Sequence, residues 1–194
     1  KAAEKKLWDE EKTKTYTGLA GEPAFHAAMI DLILADSVAV DRVAAVATPG
    51  GTGAVRQALE LIKLASPQAT VWLSEPTWPN HPSIIRYLGM PMAEYRYFDA
   101  GTRGLDFDGM MADLANVKAG DVVLLHGCCH NPTGANLTAG EWNKVAAVLV
   151  ERNLFPFVDI AYQGFGDGLD ADAAGLRVLA RAVPEMAIAS SCSK

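Results

Sequence analysis

Residues 122–160 read VVLLHGCCHNPTGANLTAGEWNKVAAVLVERNLFPFVDI, and this stretch decides the fold. Two apolar runs, Val122 to His126 and Leu154 to Asp159, flank a segment from Ala139 to Glu151 in which Trp142, Val145, Ala146 and Leu149 recur at helical spacing. Runs without polar alternation fit strands covered on both faces, and strand, helix, strand in this order builds a parallel sheet. Thr138, with Glu141 three residues later, forms a capping box that starts the helix.

The same alternation extends outward in both directions. Further strands are expected at Val43 to Ala47, Thr70 to Leu73, Ala93 to Tyr97 and Met186 to Ser190, and an amphipathic helix over Ala54 to Leu64 carries Val55, Ala58, Leu59 and Ile62. The first forty residues differ: a charged helix, a Lys-rich turn and a second helix precede any strand. They read as an arm or linker, residues 1–40, leading into an α/β domain over residues 41–194. No repeat or low-complexity segment interrupts the pattern.

Composition excludes several classes of function. With 194 residues, half of them hydrophobic, the chain can bury a substantial core. Its net charge is −6 and it has no basic stripe to neutralise phosphates, so nucleic acid is not an expected partner. Apolar runs fall far short of the roughly 20 residues of a membrane helix, and Lys1-Ala2-Ala3-Glu4-Lys5-Lys6 is too charged for a signal peptide. No membrane association and a cytoplasmic location are expected. Three cysteines, two adjacent, fit free thiols in a reducing compartment. His126, Cys128, Cys129 and His130 lack the second ligand pair of a zinc site, so no metal is expected.

The chemistry-bearing residues gather at strand ends, where open α/β sheets place their ligands. Thr48-Pro49-Gly50-Gly51-Thr52-Gly53 opens a helix, and reads either as a phosphate cradle or as a plain tight turn. It lacks the spacing of a P-loop or of a dinucleotide fingerprint. Trp78, between Pro76 and Pro79, is held as a stacking surface for a flat ring or as a core indole. Asn131 lies in a demanding Asn-Pro-Thr-Gly turn, with the Asn131–Pro132 bond a candidate for the cis form. Asp159 ends an apolar strand, so it needs a cationic or hydrogen-bonding partner, for which a protonated pyridine nitrogen would serve; the alternative is an Asp that caps the next turn. Tyr162 follows three residues on. Ser191 can join the anion cradle, and Lys194 offers an amine for a carbonyl, a role that requires its deprotonated form.

Together these segments resemble the aspartate and aromatic amino acid aminotransferases, class I members of the fold-type I pyridoxal phosphate enzymes. The resemblance spans essentially the whole chain and rests on Tyr16 in Lys14–Gly18, Gly50–Gly53, Trp78–His81, His126–Gly134, Asp159–Phe165 and Ser191–Lys194. It implies the three-layer α/β/α large domain of those enzymes with a mostly parallel mixed sheet, most of the small domain being absent from the 194 residues. It implies pyridoxal 5'-phosphate as cofactor, with Lys194 as the catalytic Schiff-base lysine and Asp159 as the partner of the pyridine nitrogen. Tyr162 and Asn131 would bind the ring's phenolic oxygen, Trp78 would stack on the ring, and Gly51, Thr52 and Ser191 would hold the phosphate. Trp78 and Asn131 also correspond to substrate contacts, and His81 to the histidine behind the aspartate. Tyr16 resembles the tyrosine that reaches the neighbouring subunit's phosphate, which implies a homodimer with shared active sites.

The implied activity is a ping-pong exchange of an amino group between aspartate, glutamate or an aromatic amino acid and a 2-oxo acid such as 2-oxoglutarate. A lyase of the same fold, or an inert α/β phosphate-binding domain, are the rival expectations. Because such enzymes are about twice this length, the chain is expected to be part of a longer polypeptide, with the arginines for phosphate and substrate carboxylate outside it.

Overall fold

The computed structural model describes all 194 residues. Seven α-helices are α1 (Ala2–Glu10), α2 (Pro23–Leu34), α3 (Gly50–Ala65), α4 (Asn80–Leu88), α5 (Phe107–Leu114), α6 (Ala139–Glu151) and α7 (Leu169–Ala182). Seven strands are β1 (Val71–Glu75), β2 (Met92–Arg96), β3 (Phe98–Asp99), β4 (Gly104–Leu105), β5 (Val122–His126), β6 (Phe155–Ile160) and β7 (Ala187–Ser190). Five strands form one sheet in the order β2-β1-β5-β6-β7, every neighbouring pair parallel. The remaining two, β3 and β4, make a small antiparallel ribbon. No helix is long and apolar enough to cross a membrane.

Strand parity builds the three layers. Register sets Val122 against Phe155 and Leu124 against Phe157, so Val122, Leu124 and Phe157 face one way and pack with Val55 and Leu59 of α3 and Ile85 of α4. The intervening Val123, Leu125, Val158 and Ile160 face the other way, into a core built with Met110 of α5, Trp142 and Val145 of α6, and Leu176 and Leu179 of α7. These strands are buried on both faces, as uninterrupted apolar runs require. The capping box is present: the Glu141 N–H donates to Thr138 Oγ1 at 3.3 Å, and the Thr138 N–H donates to the Glu141 carboxylate at 2.7 Å.

The N-terminal helices behave differently from each other. α1 buries nothing, whereas Ile33 and Leu34 of α2 join the core. Carbonyls at the end of α2 would be left without partners in an interior helix end. Arg177 of α7 satisfies them, donating to Ile33 O and Leu32 O at 3.0 Å, and Gln163 adds a 2.8 Å bond to Leu32 O.

One expected strand is absent. Val43 to Ala47 is an extended connector after a 3₁₀ turn at Val40–Arg42; Ala47 N–H donates to Ala20 O, but no ladder forms. A run this short cannot be told from a connector by hydropathy alone. The Gly-rich turn therefore follows extended chain rather than a strand.

Candidate active site

The parity that builds the core also aims the site. His126 and Asp159 are opposite one another in the β5–β6 register, on the same face as Leu124 and Phe157, which is the face covered by α3 and α4. His81, in the first turn of α4, is fully buried there and its Nε2 lies 2.9 Å from Asp159 Oδ2. Oδ1 of Asp159 is left for a donor in the cavity, which Asp159 lines. Asp159 thus has one hydrogen-bonding partner within the chain, the His81 imidazole that the resemblance places behind it.

A single direction of hydrogen bonding runs through this cluster. The Asn131 N–H points at His126 Nδ1 at 3.4 Å, so Nδ1 accepts and the proton of neutral His126 sits on Nε2. Burial, reinforced by His130 and His81, holds His126 well below its ordinary value, which favours that neutral form. His126 Nε2–H donates to Thr77 Oγ1 at 3.2 Å, and the Thr77 hydroxyl donates to His81 Nδ1 at 3.0 Å. His81 is then left with its proton on Nε2, facing Asp159. The chain of groups fixes each tautomer and delivers an N–H to the carboxylate.

His130 is fixed in the same manner. The Ser74 hydroxyl donates to Pro76 O at 2.9 Å, so its oxygen accepts from His130 Nε2–H at 2.9 Å. Thr133 donates to His130 Nδ1 at 2.8 Å, and the ring stacks on Tyr97 with centroids 4.0 Å apart. Burial, then His81, lowers His130 to about 4. These bonds tie the end of β1 to the turn carrying Asn131, whose bond to Pro132 is cis as expected; Glu75–Pro76 is also cis.

On the other side of the cavity, α3 begins at Gly50 with no side-chain cap. A Cβ on Gly51 would stand 3.1 Å from Ser191 Cβ, so bare backbone is what lets the helix start approach the end of β7. Gly50, with φ of 68°, adopts a conformation that disfavours other residues. The result is a helix N-terminus flanked by Thr52 and Ser191, the arrangement that binds anions. Lys194 follows, its Nζ 4.8 Å from the Tyr162 ring centroid.

All these residues line one cavity of about 310 Å³: Gly51, Thr52, Trp78, Asn131, Asp159, Tyr162, Ser191 and Lys194. Trp78 also meets His81 edge-on at 5.2 Å. Tyr16 does not join them; it is fully exposed, in the coil between α1 and α2. Of the four residues weighed for zinc, both imidazoles are committed to the bonds above, while Cys128 and Cys129 approach Asp172 instead. The sequence reading missed Thr77 and the linking role of His126; the Thr77–His81 spacing of four residues at a helix start was the available signal.

The cavity fits pyridoxal phosphate on these grounds: a backbone anion site, an acid with one free oxygen, and an amine, all facing one space. Known proteins agree with that chemistry. An aromatic-amino-acid aminotransferase of Paracoccus denitrificans is 58% identical over 193 residues, covering 100% of this chain and 49% of the relative. An aspartate aminotransferase of Escherichia coli is 43% identical over 197 residues, covering 100% of this chain and 50% of the relative. Among solved structures, an aromatic amino acid aminotransferase with 3-indolebutyric acid superposes with a TM-score of 0.98 at 58% identity, covering 100% of this chain and 49% of its own. The Burkholderia pseudomallei aromatic-amino-acid aminotransferase, covalently bound to pyridoxal phosphate, gives 0.95 at 39% identity, with coverages of 100% and 49%. The chain thus spans about half the length of the relatives it matches. Residues 1–194 match the family description of class I and II aminotransferases throughout, and the chain belongs to that family.

Proposed function

We propose that the polypeptide to which this chain belongs is a cytoplasmic, homodimeric aminotransferase that moves an amino group from an aromatic or dicarboxylic amino acid to a 2-oxo acid such as 2-oxoglutarate, in two half-reactions. The observation that carries this reading is the convergence of Lys194, Asp159 and the Gly51–Ser191 anion site on one cavity. Pyridoxal phosphate, when bound, supplies an aldehyde for amine exchange and a ring that withdraws electrons from the substrate Cα.

Each residue's part rests on its chemistry together with the resemblance to the aminotransferases. The N–H groups at the start of α3, with the Thr52 and Ser191 hydroxyls, would hold the phosphate. Asp159, anchored by His81, would keep the proton on the ring nitrogen, because a carboxylate beside that nitrogen favours its charged form. Tyr162 and Asn131 would bind the phenolic oxygen, and Trp78 would cover the ring and contact substrate. Lys194 Nζ would carry the cofactor and, once released by the incoming amine, move the proton between substrate Cα and cofactor. Tyr16 would serve the phosphate of the neighbouring subunit's site.

The test uses the full-length protein with aspartate, tyrosine and phenylalanine as amino donors and 2-oxoglutarate as acceptor. Glutamate formation is expected with at least one donor and its loss in Lys194→Ala, whose folding is checked by circular dichroism. Consumption of the amino acid without glutamate would overturn the reading in favour of a lyase. No turnover and no visible absorbance with added pyridoxal phosphate would favour an inert binding domain.

A further inference from the structure

Cys128 and Cys129 are adjacent free thiols with no part in the chemistry above. Their sulfurs and one carboxylate oxygen of Asp172 all lie within 4.8 Å of one another. Cys128 lines the cavity, and Cys129, with φ of 46°, sits beneath the loop that follows Tyr162. A Cβ on Gly166 in that loop would stand 3.3 Å from Cys129 Sγ. The pair therefore lies between the cavity and the loop.

Three candidate ligands raise the possibility of a divalent metal, and Asp172 decides against it. Its Oδ2 accepts the N–H groups of Gly164 at 2.8 Å and Gly166 at 3.0 Å, and its Oδ1 accepts that of Asp167 at 2.8 Å. With the carboxylate so committed, two sulfurs remain, too few for the four ligands of a structural zinc site. Metals also bind thiolates, whereas burial raises Cys128 to about 12 and shifts Cys129 in the same direction. Two neighbouring neutral thiols suit an electrophile that condenses with S–H groups and needs no third ligand.

We propose that Cys128 and Cys129 form a chelating site for trivalent monoorganoarsenicals, entered from the cavity. The step is a condensation without redox change. The arsenic–oxygen double bond of an arsine oxide and two S–H bonds break, two As–S bonds form, and the oxygen leaves with both protons as water. Arsenic stays trivalent, and no net proton is released. The second thiol reacts within the same molecule, so losing either one removes an effective-concentration advantage of about a hundredfold. The site stands independently of amino transfer, because it requires neither Lys194 nor the cofactor.

The probe is phenylarsine oxide with full-length protein, with and without pyridoxal phosphate, followed by intact mass and peptide mapping. One phenylarsenic unit per chain is expected in the cofactor-free form, with slower uptake when the cofactor shares the cavity. Uptake should be reversed by a dithiol but not by an equal concentration of a monothiol. Cys128→Ser and Cys129→Ser should each weaken it about a hundredfold, while Cys192→Ser leaves it unchanged. In the wild-type protein, iodoacetamide added after unfolding in urea, where both thiols are exposed and ionise normally, should find Cys128 and Cys129 shielded by the arsenical, a readout independent of any variant's folding. Undiminished alkylation of both residues, or uptake unchanged in both single variants, would overturn the proposal.

Discussion

Thr77 supplies one hydroxyl to two imidazoles, accepting from His126 and donating to His81, and that single oxygen orients the histidine behind Asp159. Thr77→Val keeps the shape and removes both bonds, leaving buried ring nitrogens without partners. The expected loss is about 1–3 kcal/mol of unfolding free energy, read by urea denaturation of the full-length protein, together with weaker cofactor binding; Thr77→Ser should retain both. A valine variant as stable and as well loaded as wild type would show that the hydroxyl orients nothing. The neutral histidines also set an acid limit. His126 and His130 have folded values below the ordinary one, about 4 for His130, so the unfolded chain binds more protons as pH falls. Their contribution is complete above about pH 6.5 and is lost as pH drops through the window toward the folded values, at up to about 1.4 kcal/mol per pH unit for each histidine. Melting temperature should therefore fall steadily between about pH 6.5 and 4.5, before the carboxylates Asp113 and Asp172, both held below their usual range, begin to protonate. A flat profile across that window would contradict buried neutral imidazoles. From residue chemistry alone, Asp159 could be seen to need a partner but not which one; only the resemblance to the aminotransferases pointed to His81. That His81 supplies it depends on α4 folding over β6, a contact 78 residues apart that no local pattern encodes.

Helix α6 and strands β5 and β6 were legible because every local signal agreed: apolar runs long enough to be buried, a 3.6-residue stripe, and a capping box at Thr138. Val43 to Ala47 carried only one of those signals, a short apolar run, and the structure leaves it unpaired. The ribbon of β3 and β4 was not legible at all, since strands of two residues are too short to carry a period. Packing between elements was equally hidden. Gly175 in α7 faces Trp142 in α6, where an added Cβ would stand 2.2 Å from the indole, yet mid-helix glycine reads from sequence only as a weak helix former. The physical reason for it is close approach, so the small gain in helix propensity from Gly175→Ala is outweighed by the clash. Overpacking of this kind costs about 1–3 kcal/mol, measurable as a lower urea midpoint, with partial recovery expected in Gly175→Ala combined with Trp142→Phe. An alanine variant more stable than wild type would show that α6 and α7 can separate without cost.

Across the whole molecule, the cavity is assembled from five separated segments, at the start of α3 and after β1, β5, β6 and β7, and their order in the sheet brings them to one edge. Tyr16 is the candidate site residue that this arrangement leaves in solvent, and its full exposure fits a side chain whose contacts lie on another copy. If Tyr16 serves the neighbouring site while Lys194 serves its own, the two residues of one active site come from two chains. A mixing experiment separates this from a site built within one subunit. Full-length Tyr16→Ala and Lys194→Ala variants should each be strongly impaired alone. After joint refolding, half of the dimers formed by random pairing are hybrids, and each hybrid holds one site with both residues intact. Activity should then recover to about one quarter of the wild-type level per site. Recovery no greater than the average of the two parents would place Tyr16 outside the neighbouring site and remove the reason to share active sites between subunits.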